Sequence, residues 1–306
     1  MWVKWAFLEG IFRSINTNLL KFIGQGNTLS GSFFITSIIG FIQMIGGWLI
    51  AIFRKEKIII PFKLIYRSII FGISASLMTV LSIYTFTYAG AEVGIVSFLV
   101  MLSIIPGTII DRIIFFEKIP KRKIIGIFLY LITTFIFLEG YKMSGLLFTF
   151  PIWLIFPLIS AFLLAINEGL TKKISRQTSP FVNNFYIGLT TVIFSLIGYK
   201  LLNQAIDFKQ LSFSFWLAIF FIGLVVILLI ASKFLAYYAG GNIAIKQLVM
   251  SSTFLIVANF FGVIFFQETW TLGKTLGLPL FIISFLVAHK EAWKYFKLKI
   301  VKSKLA

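Results

Sequence analysis

The sequence predicts an all-α polytopic membrane protein in which ten transmembrane helices form two inverted five-helix repeats. Three observations support this fold class: an apolar composition, a series of long apolar segments, and an internal repeat. Hydrophobic residues occupy 59% of the 306 positions, charged residues only 12%, and the mean hydropathy is +1.00. Soluble domains contain about 25% charged residues, so this composition lies outside their usual range.

Apolar segments long enough to cross a bilayer follow one another with short breaks. A spanning helix needs about 20 apolar residues, and backbone groups in lipid must be satisfied within their own segment, which favours helices. The long apolar runs lack the strict alternation of a transmembrane barrel. The predicted helices cover residues 2–24, 31–53, 63–88, 92–116 and 123–140 in the first half, and 150–171, 180–202, 212–238, 242–266 and 271–289 in the second.

Short motifs of the first half recur about 150 positions later. The matching pairs include Asn16 with Asn167, Gly47 with Gly198, Tyr88 with Tyr238, and Gly126 with Gly277. An odd number of helices per half places the second half upside down in the membrane, so we predict an inverted repeat. The predicted units are residues 1–143, residues 144–289 and a basic cytoplasmic tail, 290–306.

The net charge of +18 is distributed as a topology signal and not as a nucleic-acid-binding surface. With a cytoplasmic N-terminus, the basic clusters at 54–57, 118–123, 172–176 and 290–304 all face the cytoplasm, as the positive-inside rule requires. The loops and helix ends on the other side hold only Lys21, Lys142, Lys200, Lys209 and Lys274. We therefore predict cytoplasmic termini, a multi-pass protein of the bacterial inner membrane, no nucleic-acid partner, and contact of the basic face with anionic lipid headgroups.

The ends of the two halves resemble a known transporter family. A glutamate, Glu117 or Glu268, precedes a glycine-containing last helix in each half, and Pro106 lies in the fourth predicted helix. These features are similar to the EamA-type ten-helix branch of the drug/metabolite transporter superfamily, and residues 16–22 resemble the first helix of the small multidrug resistance proteins. The resemblance implies a secondary transporter, more commonly an exporter, with a central cavity beside the first helix of each half. We expect both glutamates to bond helix-end amides and not substrate.

The chain departs from this family at two informative positions. The proline of the fourth helix has no partner in the ninth, where Val257 stands. Arg13 stands where the small multidrug resistance proteins carry a membrane-embedded glutamate. Because arginine stays charged at any ordinary pH, a proton-exchanging carboxylate cannot be carried over to this position.

Polar and ionisable side chains of the first helix are candidate binding residues, since a charge at membrane depth costs about 2.5–3.5 kcal/mol. Glu9, Arg13 and Asn16 share one helix face at i, i+4 and i+7. This face either binds substrate, with Arg13 taking a carboxylate, or carries a Glu9–Arg13 ion pair that only tightens packing. Asn167 either binds the same substrate from the opposite side or hydrogen-bonds a neighbouring helix.

Further candidates lie in the second half and at two turns. Glu168 either faces substrate or pairs with Lys172 at an interface, and Lys233 and Lys246 either line the inner mouth of the cavity or extend to the membrane interface. The tyrosines near the turns could form an aromatic cage for a quaternary amine. The full set of candidate substrate-binding residues is Glu9, Arg13, Asn16, Tyr84, Tyr88, Asn167, Glu168, Lys233, Tyr237 and Lys246.

These patterns favour a secondary active transporter, monomeric or homodimeric, that moves a small anionic or zwitterionic metabolite, such as an amino acid, by alternating access. One alternative is a carrier of organic cations, such as choline or lipophilic drugs, using Glu9 and Glu168 against the tyrosines. Another is a membrane scaffold or lipid-handling protein whose polar residues only join helices. The sequence contains no cysteine and no nucleotide-binding or hydrolase motif, so we predict no enzyme activity, no catalytic residue, no metal and no cofactor.

Overall fold

A computed structural model describes residues 2–88, 90–114, 120–138, 151–203, 212–241 and 243–288. Within these ranges the chain is helical and contains no β-strand, which confirms the predicted all-α class. The helices are α1 (Trp2–Gly24), α2 (Leu29–Phe53), α3 (Phe62–Thr85), α4 (Val93–Met101), α5 (Ile104–Ile114), α6 (Lys121–Phe137), α7 (Ile155–Ile174), α8 (Pro180–Leu202), α9 (Phe213–Tyr238), α10 (Ile243–Phe266) and α11 (Leu272–Ala288). Glu117, the predicted boundary at 143 and the basic tail 290–306 lie outside the described residues.

Among the described residues, six helical segments are long and apolar enough to cross a membrane. They are Leu29–Phe53, Phe62–Thr85, Ile152–Ile174, Pro180–Leu202, Phe213–Tyr238 and Lys246–Phe266. Their outer faces carry half-exposed apolar side chains, for example Phe41, Ile193, Phe220 and Phe260. Apolar side chains on the outside of a helix bundle match a lipid environment, so the chain is a polytopic α-helical membrane protein.

The predicted helix 92–116 is divided into α4 and α5. At the division, the Leu102 amide bonds the Leu99 carbonyl at 3.0 Å and the Ser103 amide bonds the Val100 carbonyl at 3.2 Å, both tight i to i+3 turns. Pro106 explains the break, because it has no amide proton for the carbonyl of Leu102 and disfavours helical geometry just before it. The corresponding α10, with Val257 in place of the proline, is unbroken.

Each half packs against the other through a small set of helix pairs. The pair α2 and α8 and the pair α6 and α11 form extensive contacts. Helix α1 packs against α9 and α10, while α7 packs against α3, α4 and α5. Helices of both halves therefore surround the centre of the bundle.

Helices α2 and α8 approach closely and run antiparallel. Gly47, near the end of α2, lies against the start of α8, where an added Cβ would come within 2.7 Å of the Phe185 nitrogen and 2.9 Å of the Asn184 Cβ. Gly198, near the end of α8, lies against Phe33 at the start of α2. The end of each helix thus packs on the start of the other, and the glycines permit this approach.

Helices α6 and α11 repeat this arrangement at another place in the bundle. A Cβ added at Gly126 would come within 2.6 Å of the Ala288 backbone, and one at Gly277 within 2.7 Å of the Phe137 ring. Gly126 and Gly277 lie in the second turns of their helices, and Phe137 and Ala288 are the last residues. These two helices are therefore also antiparallel.

Candidate functional site

A cavity of about 110 Å³ lies between α1, α3, α4, α7, α9 and α10. Its polar lining includes Arg13, Asn16, Ser97, Asn167 and Lys233. Its apolar lining includes Phe71, Met78, Val226 and Phe254. Both halves contribute to both kinds of lining, and four of the sequence-predicted binding residues meet at this place.

Arg13 and Asn16 reach the cavity from adjacent turns of α1. Arg13 is 8% exposed, its guanidinium lies 6.0 Å from the centre of the Phe254 ring, and its Nη2 atom is 3.4 Å from Glu9 Oε1. Among the described residues, neither Nε of Arg13 nor Oδ1 of Asn16 has a hydrogen-bond partner. A buried polar group without a partner costs about 1–3 kcal/mol, and these two atoms, themselves almost inaccessible, belong to residues that line the cavity.

Five buried charged side chains form what we call the cavity network: Glu9, Arg13, Glu168, Lys233 and Lys246. Their exposure ranges from 0 to 8%. Lys246 joins the two carboxylates, with its Nζ atom 2.7 Å from Glu9 Oε2 and 3.2 Å from Glu168 Oε2. Three cations share two carboxylates, so this group of residues carries a net charge of +1.

Glu168 is the most heavily engaged member of the cavity network. Lys233 Nζ lies 2.9 Å from its Oε1 atom, and the Tyr237 hydroxyl donates to its Oε2 atom at 2.5 Å. These contacts join Glu168 of α7 to α9 and α10. Lys233 and Lys246 are 2% and 0% exposed, so the prediction that they extend to the membrane interface is wrong. Neighbouring carboxylates stabilise both ammonium groups in the interior instead.

Of the cavity network, only positively charged residues line the cavity. Its described lining includes Arg13 and Lys233 but neither Glu9, Glu168 nor Lys246. Lys233 also lies 5.4 Å from the centre of the Phe71 ring, itself part of the lining. The described residues that line the cavity thus include two cations and no carboxylate, although most of the cavity surface is apolar.

Asn167 fits both of its predicted roles. It lines the cavity, and its Oδ1 atom accepts a hydrogen bond from the Ser74 hydroxyl at 2.8 Å. Its Nδ2 atom lies 3.6 Å from the Met78 sulfur. These contacts join α7 to α3 and fix the amide beside the cavity.

The predicted tyrosines do not meet around the cavity. The Tyr88 hydroxyl donates to the Tyr84 hydroxyl at 3.2 Å, and both rings pack against Phe156, with ring centres 5.3 Å and 6.0 Å away. Tyr237 instead bonds Glu168. None of the three belongs to the described cavity lining, so the structure does not assemble them into an aromatic cage there.

A second set of charges, two buried and two partly buried, comprises Lys21, Glu92, Glu268 and Lys274, and we call it the cap network. Glu268 Oε1 lies 2.7 Å from Lys21 Nζ, and Lys274 Nζ lies 2.6 Å from Glu92 Oε2. The carboxylate of Glu268 also accepts hydrogen bonds from the Val93 amide at 2.5 Å and the Gly94 amide at 3.4 Å. These are the first amides of α4, so the expectation that Glu268 binds helix-end amides is confirmed.

The cap network provides buried partners for two lysines at helix ends. Lys21 lies in the last turn of α1 and Lys274 in the first turn of α11, where Lys274 is only 2% exposed. Glutamates from distant parts of the chain hold them there.

Sequence reasoning also missed two residues beside the cavity. Ser97 of α4 has a buried hydroxyl without a partner among the described residues, and Ser74 positions Asn167. A serine within an apolar helix is the only signal for either, and it is a weak one because serine hydroxyls commonly bond their own helix backbone.

No protein-family model and no curated protein sequence matches this chain. Among solved structures, one described only as "Crystal structure of protein" superimposes with a TM-score of 0.65 at 17% sequence identity. The match covers 95% of this chain and 98% of that chain. At this level of identity the likeness establishes the helical fold alone.

Proposed function

We propose that the protein is a secondary active transporter that moves a small anionic or zwitterionic metabolite across the bacterial inner membrane by alternating access. One observation carries this proposal: a cavity inside a membrane helix bundle is walled by Arg13 and Lys233, which belong to a buried network of net charge +1. Ionisable groups at membrane depth mark solute pathways. A packing role alone would not require a cationic wall that faces a cavity.

We further propose ten membrane helices, with α4 and α5 as one broken span, in two inverted repeats covering 1–143 and 144–289. Contacts between positions that match in the repeat support this. The Thr133 hydroxyl lies 3.1 Å from that of Ser284, its counterpart 151 positions later. The rings of Tyr130 and Phe281, another such pair, have centres 5.1 Å apart. Matching residues can touch in this way near a twofold axis between two related halves.

The wider packing supports the same symmetry. In the repeat, α1 corresponds to α7, α3 to α9, and α4 with α5 to α10. The contact of α1 with α9 therefore matches that of α7 with α3, and the contact of α1 with α10 matches that of α7 with α4 and α5. The antiparallel pairs α2–α8 and α6–α11 each join a helix to its own counterpart, so exchange of the halves leaves these pairs unchanged. A cavity at the interface of two inverted repeats is the recurrent site of alternating-access carriers.

The proposal includes cytoplasmic termini and membership of the EamA-type branch of the drug/metabolite transporters, on the charge distribution and motifs of the sequence. The organic-cation alternative finds less support, because Glu9 and Glu168 are already paired with lysines and lie behind the cavity wall. A purely structural scaffold finds less support because Arg13, Asn16, Asn167 and Lys233 all line one cavity between the helices.

Ligand screening followed by transport tests this proposal. Purified protein is screened against a metabolite library for thermal stabilisation, since a ligand at about 100 times its Kd adds about 2.7 kcal/mol. Hits are then assayed as labelled solutes in proteoliposomes. We expect uptake that Arg13→Ala lowers at least tenfold, and that the matched variant Lys4→Ala, an exposed charge removed from the same helix, leaves within twofold. Absence of uptake for every hit, or uptake unaffected by Arg13→Ala, contradicts the proposal.

A further inference from the structure

The charge balance of the cavity network limits the charge of a bound solute. In a medium of low dielectric, an uncompensated charge is strongly destabilised. The network of Glu9, Arg13, Glu168, Lys233 and Lys246 carries +1 when empty. A monoanion brings the occupied site to zero, a zwitterion leaves it at +1, and a dianion takes it to −1.

The positions of the charges favour a hydroxyl over an ammonium group on the solute. An ammonium group would lie beside Arg13 and Lys233, with no carboxylate in the described lining to receive it. Asn16 lines the same wall, and its carbonyl oxygen, almost inaccessible in this conformation, has no partner among the described residues. That oxygen accepts a hydrogen bond from a neutral hydroxyl without adding a positive charge.

Helical spacing places Arg13 and Asn16 close together on α1. Arg13 and Asn16 are at i and i+3, which places their Cβ atoms about 5–6 Å apart on one helix face. Small rotations of the two side chains would bring the unpartnered Nε of Arg13 and Oδ1 of Asn16 to the cavity surface, where they suit an acceptor and a donor on neighbouring carbons of one small molecule. A carboxylate with a hydroxyl on the adjacent carbon has this arrangement.

The remaining wall fixes the size and polarity of the rest of the solute. Phe71, Met78, Val226 and Phe254 line the cavity with apolar surface. The volume of about 110 Å³ is below the roughly 300–1,000 Å³ typical of drug-sized ligand pockets. This volume suits a small solute with a short apolar chain beside the carboxylate.

We propose that the solute is a small 2-hydroxy monocarboxylate with a short apolar chain, taken as a monoanion in preference to a zwitterionic amino acid or a dicarboxylate. This inference rests on the proposed function and narrows its substrate class. The carboxylate binds Arg13 and Lys233, the hydroxyl donates to Asn16, and the chain packs on the aromatic and aliphatic wall.

Four solutes of the same carbon skeleton test the inference at pH 7.5: 2-hydroxybutyrate, butyrate, 2-aminobutyrate and malate. Each is assayed for thermal stabilisation of the purified protein and for uptake into proteoliposomes. We expect affinity for 2-hydroxybutyrate to exceed that for 2-aminobutyrate and malate at least tenfold. Asn16→Leu should reduce the preference for 2-hydroxybutyrate over butyrate about tenfold.

Arg13→Gln provides a second, independent comparison. This substitution leaves two lysines against two carboxylates, so the network becomes neutral and the variant should remain folded, as its melting profile will verify. We expect its preference for 2-hydroxybutyrate over 2-aminobutyrate to fall at least tenfold.

Failure of this inference is distinguishable from failure of the proposed function. Tighter binding and faster uptake of 2-aminobutyrate, malate or any library zwitterion or dianion would overturn the 2-hydroxy monocarboxylate assignment and leave a transporter. If neither the four solutes nor any library solute is transported, both are overturned. A preferred library solute that is another short 2-hydroxy monocarboxylate supports the inference.

Discussion

The cavity network and the cap network bury similar side chains but differ in charge balance. The cap network sets Lys21 and Lys274 against Glu92 and Glu268, so its four residues are neutral together. The cavity network sets three cations against two carboxylates. Only the unbalanced network contributes side chains to the central cavity.

This difference in charge balance distinguishes a structural network from a binding network more clearly than the burial of the side chains does. A balanced set of charges that also satisfies the first amides of α4 needs nothing further. We expect an unbalanced set that lines a cavity to be completed by a solute. Lys233 and Lys274 are equally buried, at 2% exposure each, yet we assign them to different tasks.

The largest effect is expected for Glu168→Gln. This change leaves Lys233 and Lys246 without a charged partner on α7 and raises the cavity network to +2. Removal of one partner from a buried ion pair costs about 3–5 kcal/mol. Unfolding of the purified variant, followed by denaturant titration in detergent, measures this loss.

The double variant Glu168→Gln with Lys233→Gln is the control, because it returns the net charge to +1. It should recover at least half of the lost stability. No recovery would mean that the hydrogen bond from Tyr237 and local packing, and not charge balance, make Glu168 essential.

A smaller loss is expected for Glu268→Gln. The amide oxygen of glutamine can still accept from the Val93 amide, and Lys21 can move its ammonium group towards water, so we expect a loss of about 1–3 kcal/mol. Uptake per folded molecule in proteoliposomes should stay within twofold of the parent protein. A tenfold fall in uptake without a fall in stability would remove the distinction between the two networks.

These contacts mark how far the sequence predicts the site. Helical periodicity placed Glu9, Arg13 and Asn16 on one face of α1, since that face depends only on local spacing. It could not identify the partner of Lys21, because Glu268 lies 247 positions away and the pairing depends on how α1 packs against α10. Long-range ion pairs follow from tertiary packing, which local patterns do not encode.

In the fold, too, some features follow from the local sequence and others from packing between distant segments. Apolar segment lengths predicted the all-α membrane class, and the repeat identified the glycines at both antiparallel contacts. The sequence predicted one continuous helix over 92–116 and not the break between α4 and α5, although Pro106 provides a local reason for that break. A proline can end a helix, bend it or lie in its first turn, and packing selects among these outcomes.

Lys233→Gln and Lys274→Gln form a matched pair with moderate expected effects. Lys233→Gln makes the cavity network neutral, so we expect a change in stability of less than about 1.5 kcal/mol, while uptake of an anionic solute falls about tenfold. Lys274→Gln leaves the cap network at −1 and should lower stability about as much while uptake is retained. Reversal of these two uptake results would reverse the roles assigned to the networks.

The smallest effect is expected for Glu92→Gln. The side chain of Glu92 is 28% exposed, so water already screens its pairing with Lys274 and the contribution of the ion pair is about 0.2–1 kcal/mol. Lys274 keeps a hydrogen bond to the Thr269 carbonyl at 2.7 Å and remains near Glu268. Denaturant titration should therefore place this variant within about 1 kcal/mol of the parent, with unchanged uptake. A loss as large as that of Glu168→Gln would show that the cap network depends on charge balance as strictly as the cavity network does, and charge balance would then no longer separate the two.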